Sequence, residues 1–177
     1  YMNAFYINNF NESTKLKYKG IGFGNNHDKT SSYQLAKILK AHKIDIFETD
    51  GEKFKYYVPI NQKKSKLIKA MFDTQTKFED SLFYDVSAWT FPLAFNVNYS
   101  KTNSIKLVGD EVTDLSNKPG SVQNKSDYAY VFEAHEYYAP SAVYELLKRD
   151  IRVKVATRKF SVDGNNYDYG TYFGKQY

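Results

Sequence analysis

Residues 20–59 read GIGFGNNHDKTSSYQLAKILKAHKIDIFETDGEKFKYYVP, and the order of patterns in this stretch decides the fold. The apolar run 21–23 is typical of a short strand. Leu35 and Leu39 lie one helical turn apart and indicate an amphipathic helix. The alternation over residues 44–48, with Ile44, Ile46 and Glu48 on one side, favours a second strand, and the tyrosines before the final proline favour a third. The stretch therefore predicts a strand, a helix, a strand, a turn and a strand.

The same order of elements returns in the second half of the chain. With an offset of 108, residues 21–41 lie on residues 129–149 without a gap, and one residue is lost after the helix. Identities are few, but apolar positions and turn residues agree. The similarity can reflect a true duplication or a chance likeness between two units of the same kind.

Repeated strand–helix–strand units imply a largely parallel sheet with helices on its faces. We therefore expect an α/β fold with a mostly parallel sheet flanked by helices. We divide it into a connecting arm (1–19), a first α/β half (20–100), a polar excursion (101–127) and a second α/β half (128–177). The helix pattern at 63–73 has no counterpart before residue 177, so we expect the second half to be truncated and the domain incomplete.

Composition narrows the function classes. The 177 residues carry 25 Lys and Arg against 20 Asp and Glu, a net charge of +5. The lysines are scattered, so no nucleic-acid partner is expected. There is no cysteine, which excludes a disulfide scaffold and a cysteine nucleophile. No apolar run reaches the roughly 18–20 residues of a membrane span, so none is expected.

Two histidines are the first candidates for a ligand site. His27 follows the first strand of one unit and precedes Asp28, and His135 precedes Glu136 at the corresponding place in the other. The carboxyl ends of parallel strands are where open α/β sheets bind ligands, and a histidine beside an acid can bind a ligand or move a proton. The alternative is that both are loop residues that hydrogen-bond the backbone.

Asp85 and Trp89 are two further candidates for a ligand-facing surface. Asp85 can instead cap a helix or anchor a turn, and Trp89 can instead belong to the core. The many tyrosines could stack on sugars or peptides, or pack at strand ends with their hydroxyl groups in water.

The sequence contains no motif for a catalytic metal, a bound dinucleotide or a serine nucleophile. No H-E-x-x-H or H-x-x-E spacing occurs, so no catalytic metal site is expected in this segment. The glycines of residues 20–24 lack the G-x-G-x-x-G spacing of a dinucleotide loop, and no G-x-S-x-G occurs.

Five runs of sequence point to a family. They are 57–62 (YVPINQ), 67–72 (LIKAMF), 80–95 (DSLFYDVSAWTFPLAF), 128–132 (YAYVF) and 151–155 (IRVKV). Together they resemble the region that follows the peptidase domain in large bacterial zinc carboxypeptidases. The resemblance covers most of residues 20–176, and its most specific part is 84–89 with Pro92.

The resemblance implies a fold. In that family a metallocarboxypeptidase domain precedes a domain similar to class I glutamine amidotransferases, so a flavodoxin-like, class I glutamine amidotransferase-like fold is expected. The family's zinc ligands belong to the peptidase domain and match nothing here. No cofactor is therefore expected in this segment, and zinc is expected in the parent peptidase domain. The amidotransferase cysteine is absent, which excludes glutamine hydrolysis by that route.

The resemblance also implies a function. We expect a non-catalytic accessory domain of a periplasmic or secreted zinc carboxypeptidase-like protein. It would brace the N-terminal peptidase domain of the same chain or position a peptide or glycan substrate. Two alternatives stay open: a stand-alone sugar- or peptide-binding module, and a hydrolase that uses His135 with Glu136.

Overall fold

The structure is a computed structural model that describes residues 1–25, 28–51, 53–74, 90–104, 106–116, 120–122 and 125–175. Contacts divide the chain into two compact units, Tyr1–Ser116 and Asn117–Tyr177. The described residues of both units form helices and short strands. The strands of the first unit form one sheet, and those of the second form a three-stranded and a two-stranded sheet.

The first unit contains four helices and five strands among its described residues. The helices are α1 (Met2–Ser13), α2 (Lys29–Ala41), α3 (Ser65–Phe72) and α4 (Phe91–Ala94). The strands are β1 (Gly20–Phe23), β2 (Phe47–Thr49), β3 (Tyr56–Pro59), β4 (Tyr99–Thr102) and β5 (Leu107–Glu111). They form one five-stranded sheet in the order β4-β1-β3-β2-β5.

The expected mostly parallel sheet is wrong, and with it the flavodoxin-like, class I glutamine amidotransferase-like fold. Every pair of neighbouring strands among the described residues runs antiparallel. β1 and β2 do point the same way on either side of α2, but β3 lies between them and bonds to both. Hydrophobic periodicity predicts a strand without predicting its neighbour, so it could not detect this insertion. The order β-α-β-β-α-β with β3 inserted is the split, ferredoxin-like arrangement.

The core of the first unit lies on one face of its sheet. Ile21 and Phe23 of β1 point into it, opposite Val58 and Tyr56 of β3. Helices α2 and α3 cover this face with apolar residues at helical spacing. Those residues are Leu35, Ala36, Leu39, Ile68, Met71 and Phe72. Helices confined to one face of an antiparallel sheet define an α+β layer pair rather than a doubly wound sheet.

The glycines of β1 serve packing on the opposite face. A methyl group added at Gly22 would lie 2.4 Å from the Phe54 ring, and one added at Gly20 would lie 2.4 Å from the Tyr57 ring. Two aromatic rings thus lie directly over the strand backbone. The alternating glycines of residues 20–24 are a packing motif, which agrees with their lack of a dinucleotide-loop spacing.

The second unit repeats part of this arrangement. Its elements are β6 (Ala129–Phe132), α5 (Ala139–Lys148), β7 (Val153–Val155), β8 (Phe160–Val162), β9 (Asn165–Tyr167) and β10 (Tyr172–Lys175). β10 lies between β6 and β7 and is antiparallel to both, as β3 lies between β1 and β2. The β8–β9 hairpin is an addition, and Asp163 and Gly164 form its turn.

Helix α2 of the first unit and helix α5 of the second end in the same motif. In α2 the Ile44 amide donates to the Leu39 carbonyl, and in α5 the Ile151 amide donates to the Leu146 carbonyl, at 3.1 and 3.0 Å. The residue before each amide, Lys43 and Asp150, has a positive φ. This is a Schellman motif. It fixes the correspondence between the helices at an offset of 107, so the sequence alignment at 108 is displaced by one residue there.

Among the described residues, no helix combines the length and the apolar character that a membrane crossing requires.

We predict that Gly22→Ala destabilises the protein by about 1–3 kcal/mol, because the new methyl group must displace the Phe54 ring. Urea unfolding followed by circular dichroism measures the difference. Gly120→Ala is the matched control, because no atom lies within 4 Å of the position its methyl group would take. Equal stability of the two variants would contradict the packing role of Gly22.

We predict that the protein loses stability above pH 10 partly through Tyr56. Burial, with smaller contributions from Glu48 and Tyr33, raises the pKa of Tyr56 to about 12. An unfolded tyrosine has a pKa near 10, so between about pH 10 and 12 only the folded state keeps this proton, and the free energy of unfolding falls as pH rises. Urea unfolding across this range should show a shallower fall for Tyr56→Phe, and equal slopes would refute the assignment.

Candidate binding surfaces

A cleft of about 790 Å³ opens in the first unit between α1 and the turn that leads into α3. One wall is a stripe of α1 with the spacing i, i+3, i+4, i+7, which we call the α1 stripe: Asn3, Tyr6, Ile7 and Phe10. The other wall is formed by residues 61–64 with Lys43 and Asp45. Clefts that hold small ligands in proteins have volumes of roughly 300–1,000 Å³.

Helix α1 packs on the unit through polar residues and leaves its apolar stripe toward the cleft. Asn9 and Ser13 are the buried residues of α1, with 2% and 4% of their surface exposed. The Ser65 hydroxyl donates to the Asn9 carbonyl at 2.8 Å, and the Ser13 hydroxyl donates to Asn61 Oδ1 at 3.2 Å. Ile7 and Phe10 remain exposed. This reverses the usual orientation of a surface helix, which buries its apolar side chains.

The opposite wall is held in place by its own hydrogen bonds. Gln62 Nε2 donates to the Pro59 carbonyl at 2.7 Å, and Gln62 Oε1 accepts from the Asp45 amide at 2.9 Å. Lys64 Nζ donates to the His42 carbonyl. These bonds tie the end of β3 to the residues before β2, so this wall is organised before any ligand arrives.

The cleft is positively charged. Lys43, Lys63 and Lys64 line it with one carboxylate, Asp45. Lys43 and Lys63 are exposed, and neither forms an ion pair with any residue that the structure describes. Two ammonium groups are therefore available to a ligand.

A second surface lies on the outer side of α5. Tyr144 and Leu147 are 64% and 55% exposed and share one helical face with the exposed Pro140. We call these three residues the α5 outer stripe. At the offset of 107, Tyr144 and Leu147 correspond to Lys37 and Lys40 of α2. The fold of the first unit thus places lysines where the second unit exposes apolar side chains.

Asp28 caps helix α2. Its Oδ1 accepts from the amides of Thr30 and Ser31 at 2.9 and 3.0 Å, and its Oδ2 accepts from the Ser31 hydroxyl. The Asp28 amide in turn donates to Asn25 Oδ1 at 2.9 Å. These bonds satisfy the first amides of the helix, which is the ordinary task of an N-terminal cap.

His135 and Glu136 lie together in the turn before α5. His135 Nε2 lies 3.4 Å from Glu133 Oε2, so this histidine has a carboxylate neighbour besides the adjacent Glu136 of the sequence. Glu136 is exposed, and its backbone carbonyl accepts from the Ala139 amide at 2.9 Å.

His27, Asp85 and Trp89 lie outside the described residues. Of the three candidates that the structure describes, His135 and Glu136 lie in the second unit and Asp28 lies in the first. Within the described ranges, no three His, Asp or Glu side chains converge as metal ligands.

Comparison with protein-family models, with curated proteins and with solved structures finds no match for this chain. The resemblance to zinc carboxypeptidases therefore stays a prediction from the five runs of sequence.

The cleft was not predicted, because residues 1–19 were expected to be a connecting arm, whereas Met2–Ser13 form helix α1. The spacing that indicates the cleft wall is that of Tyr6, Ile7 and Phe10 on one helical face. A helical period tested over residues 3–10 would have indicated the stripe. The lysines of the opposite wall carried no such pattern.

We predict that Lys43→Gly raises the free energy of unfolding by roughly 0.5–1 kcal/mol. Lys43 has a φ of 56°, a conformation in which a β-carbon is strained and glycine is not. The gain is reduced because glycine also adds freedom to the unfolded chain. Urea unfolding measures it.

Asp150→Gly is the control for this variant, because aspartate tolerates the same conformation better than lysine does. We expect a smaller gain there. Destabilisation by Lys43→Gly would contradict the assigned strain.

Proposed function

We propose that this chain is a non-catalytic accessory region of a zinc carboxypeptidase-like protein, periplasmic or secreted, and that it braces the peptidase domain of the same protein. The zinc belongs to that peptidase domain. The observation that carries the proposal is the α5 outer stripe, which exposes apolar side chains on a helix whose inner face already packs on its own sheet.

The stripe exceeds what the fold of the unit requires. On its inner side, α5 buries Ala139 and packs Leu146 over Gly174, so it already has an apolar face toward the sheet. A helix that is apolar on two sides is stable between two layers of protein. At the corresponding positions, α2 carries the exposed Lys37 and the half-buried Lys40, which forms an ion pair with Glu111, so α2 exposes no apolar side chain there. Apolar side chains exposed in this way mark a surface that another protein covers.

The peptidase domain is the partner that the sequence favours. Two of the runs that resemble zinc carboxypeptidase proteins, 128–132 and 151–155, contain β6 and β7, the strands on either side of α5 in the chain. The stripe therefore belongs to the element that these runs enclose. The accessory region would also position a peptide or glycan substrate, and the cleft of the first unit supports this part of the proposal.

Hydroxyl-radical footprinting tests the bracing role directly. Tyr144 and Leu147 are expected to be oxidised readily in the 177-residue chain and protected in the full-length protein that carries the peptidase domain. The double variant Tyr144→Lys, Leu147→Lys installs the residues that α2 carries, so the unit is expected to fold. In the full-length protein it should lower the melting temperature of the peptidase domain.

Arg149→Ala is the matched control on the same helix. It removes one exposed ion pair with Glu145, at 3.7 Å, which is worth no more than about 1 kcal/mol. We expect the full-length Arg149 variant to melt like the wild type. Equal oxidation of Tyr144 in the two proteins, or a reading frame without an H-x-x-E peptidase domain upstream, would refute the proposal.

A further inference from the structure

We infer that the cleft between the α1 stripe and residues 61–64 binds an extended acidic peptide. The peptide places an apolar side chain on the stripe and its carboxylates beside Lys43 and Lys63. This inference deepens the proposed function, on which it rests for the source of the peptide, by naming the class of ligand that the accessory region takes.

The apolar part of the ligand follows from the orientation of α1. The helix is held by polar contacts of Asn9 and Ser13, so the stripe is not needed for docking. Tyr6, Ile7 and Phe10 nevertheless line the cleft together. Tyr6 and Ile7 lie four and three residues before Phe10, so both neighbour its side chain on one helical face. This apolar patch fits a leucine or phenylalanine side chain.

The acidic part follows from charge complementarity. Three lysines and one aspartate line the cleft, and Lys64 is already bonded to the His42 carbonyl. Lys43 and Lys63 have no ion-pair partner among the residues that the structure covers. Carboxylates of the ligand would form ion pairs with these ammonium groups. Such pairs contribute more to specificity than to total affinity.

The extended form of the ligand follows from the amide groups of the cleft. Asn3 and Asn61 both line it. The Asn3 amide can both donate to and accept from a peptide backbone, and Asn61, whose Oδ1 accepts from the Ser13 hydroxyl, can donate through its NH₂ group.

The test is fluorescence anisotropy of the 177-residue chain with a labelled peptide, Glu-Glu-Leu-Phe-Glu-Glu. Its matched partner, Gln-Gln-Leu-Phe-Gln-Gln, keeps the apolar centre without the charges. We expect the acidic peptide to bind about tenfold more tightly at low salt, and the difference to shrink as the ionic strength rises toward about 0.15 M. A hyaluronan hexasaccharide serves as an acidic glycan, and we expect it to bind more weakly than the acidic peptide.

Three variants locate the site. Lys63→Gln and Lys43→Gly should each weaken the acidic peptide by about threefold and leave the glutamine peptide unchanged. Ile7→Asn should weaken both peptides, because it acts on the apolar contact. Lys37→Gln, an exposed lysine of α2 outside the cleft, should change neither.

Several results would overturn the inference. These are equal affinity for the two peptides, equal effects of Lys37→Gln and Lys63→Gln, and tighter binding of the glycan. All of them are measured without the peptidase domain, so they are distinct from the footprinting of Tyr144. Acidic-peptide binding can therefore fail while the bracing role stands, and the reverse also holds.

Discussion

The structure of the first unit depends on the insertion of β3 between β1 and β2. Val58 and Tyr56 bond across to Ile21 and Phe23, and the four side chains form the floor on which α2 and α3 pack. Because the helices share this face, the turn from β3 to α3 and the end of α2 come close together. Gln62 joins them through the backbone of Asp45 and Pro59. The organised wall of the cleft is thus a direct product of the strand order.

The two units use one design with different surfaces. Both place a third strand between two that flank a helix, and both close the helix with a residue of positive φ. They differ on the outer faces of the helices and at the helix ends. The outer face of α2 has lysines and that of α5 has Tyr144 and Leu147. Lys43 stands at the end of one helix and Asp150 at the end of the other. Such positions are where function can vary without a change of architecture.

Local patterns predicted the elements of residues 20–59 well. The run 21–23 is a strand, Leu35 and Leu39 lie on the buried face of a helix, and the tyrosines before Pro59 are a strand. The strand expected over residues 44–48 instead occupies Phe47–Thr49, so its predicted start was wrong by three residues. The direction of neighbouring strands could not be predicted. The alternation of apolar residues in β2 is the same whether β2 pairs with β1 directly or β3 lies between the two. The parallel sheet, and the fold that the family resemblance implied, were wrong for this reason.

The site could be predicted less well than the elements. Asp28 attracted attention as an acid beside a histidine, and its environment is that of a helix cap. The apolar stripe of α1 was present in the sequence, but the helix that carries it docks through Asn9 and Ser13, which no hydrophobic pattern detects. Lys43 could be recognised as unusual only once its backbone conformation was known.

The pairing of β1 with β4 also bears on how the chain folds. β3 follows β2 closely, so these two strands can meet early, whereas Gly20 must find Thr102 across a long intervening segment. Closing such a loop is slow and is rewarded only after the nearer contacts exist. We therefore expect β4 to join the sheet after β2 and β3 have paired. As an edge strand, it is also expected to open before the central strands of the sheet.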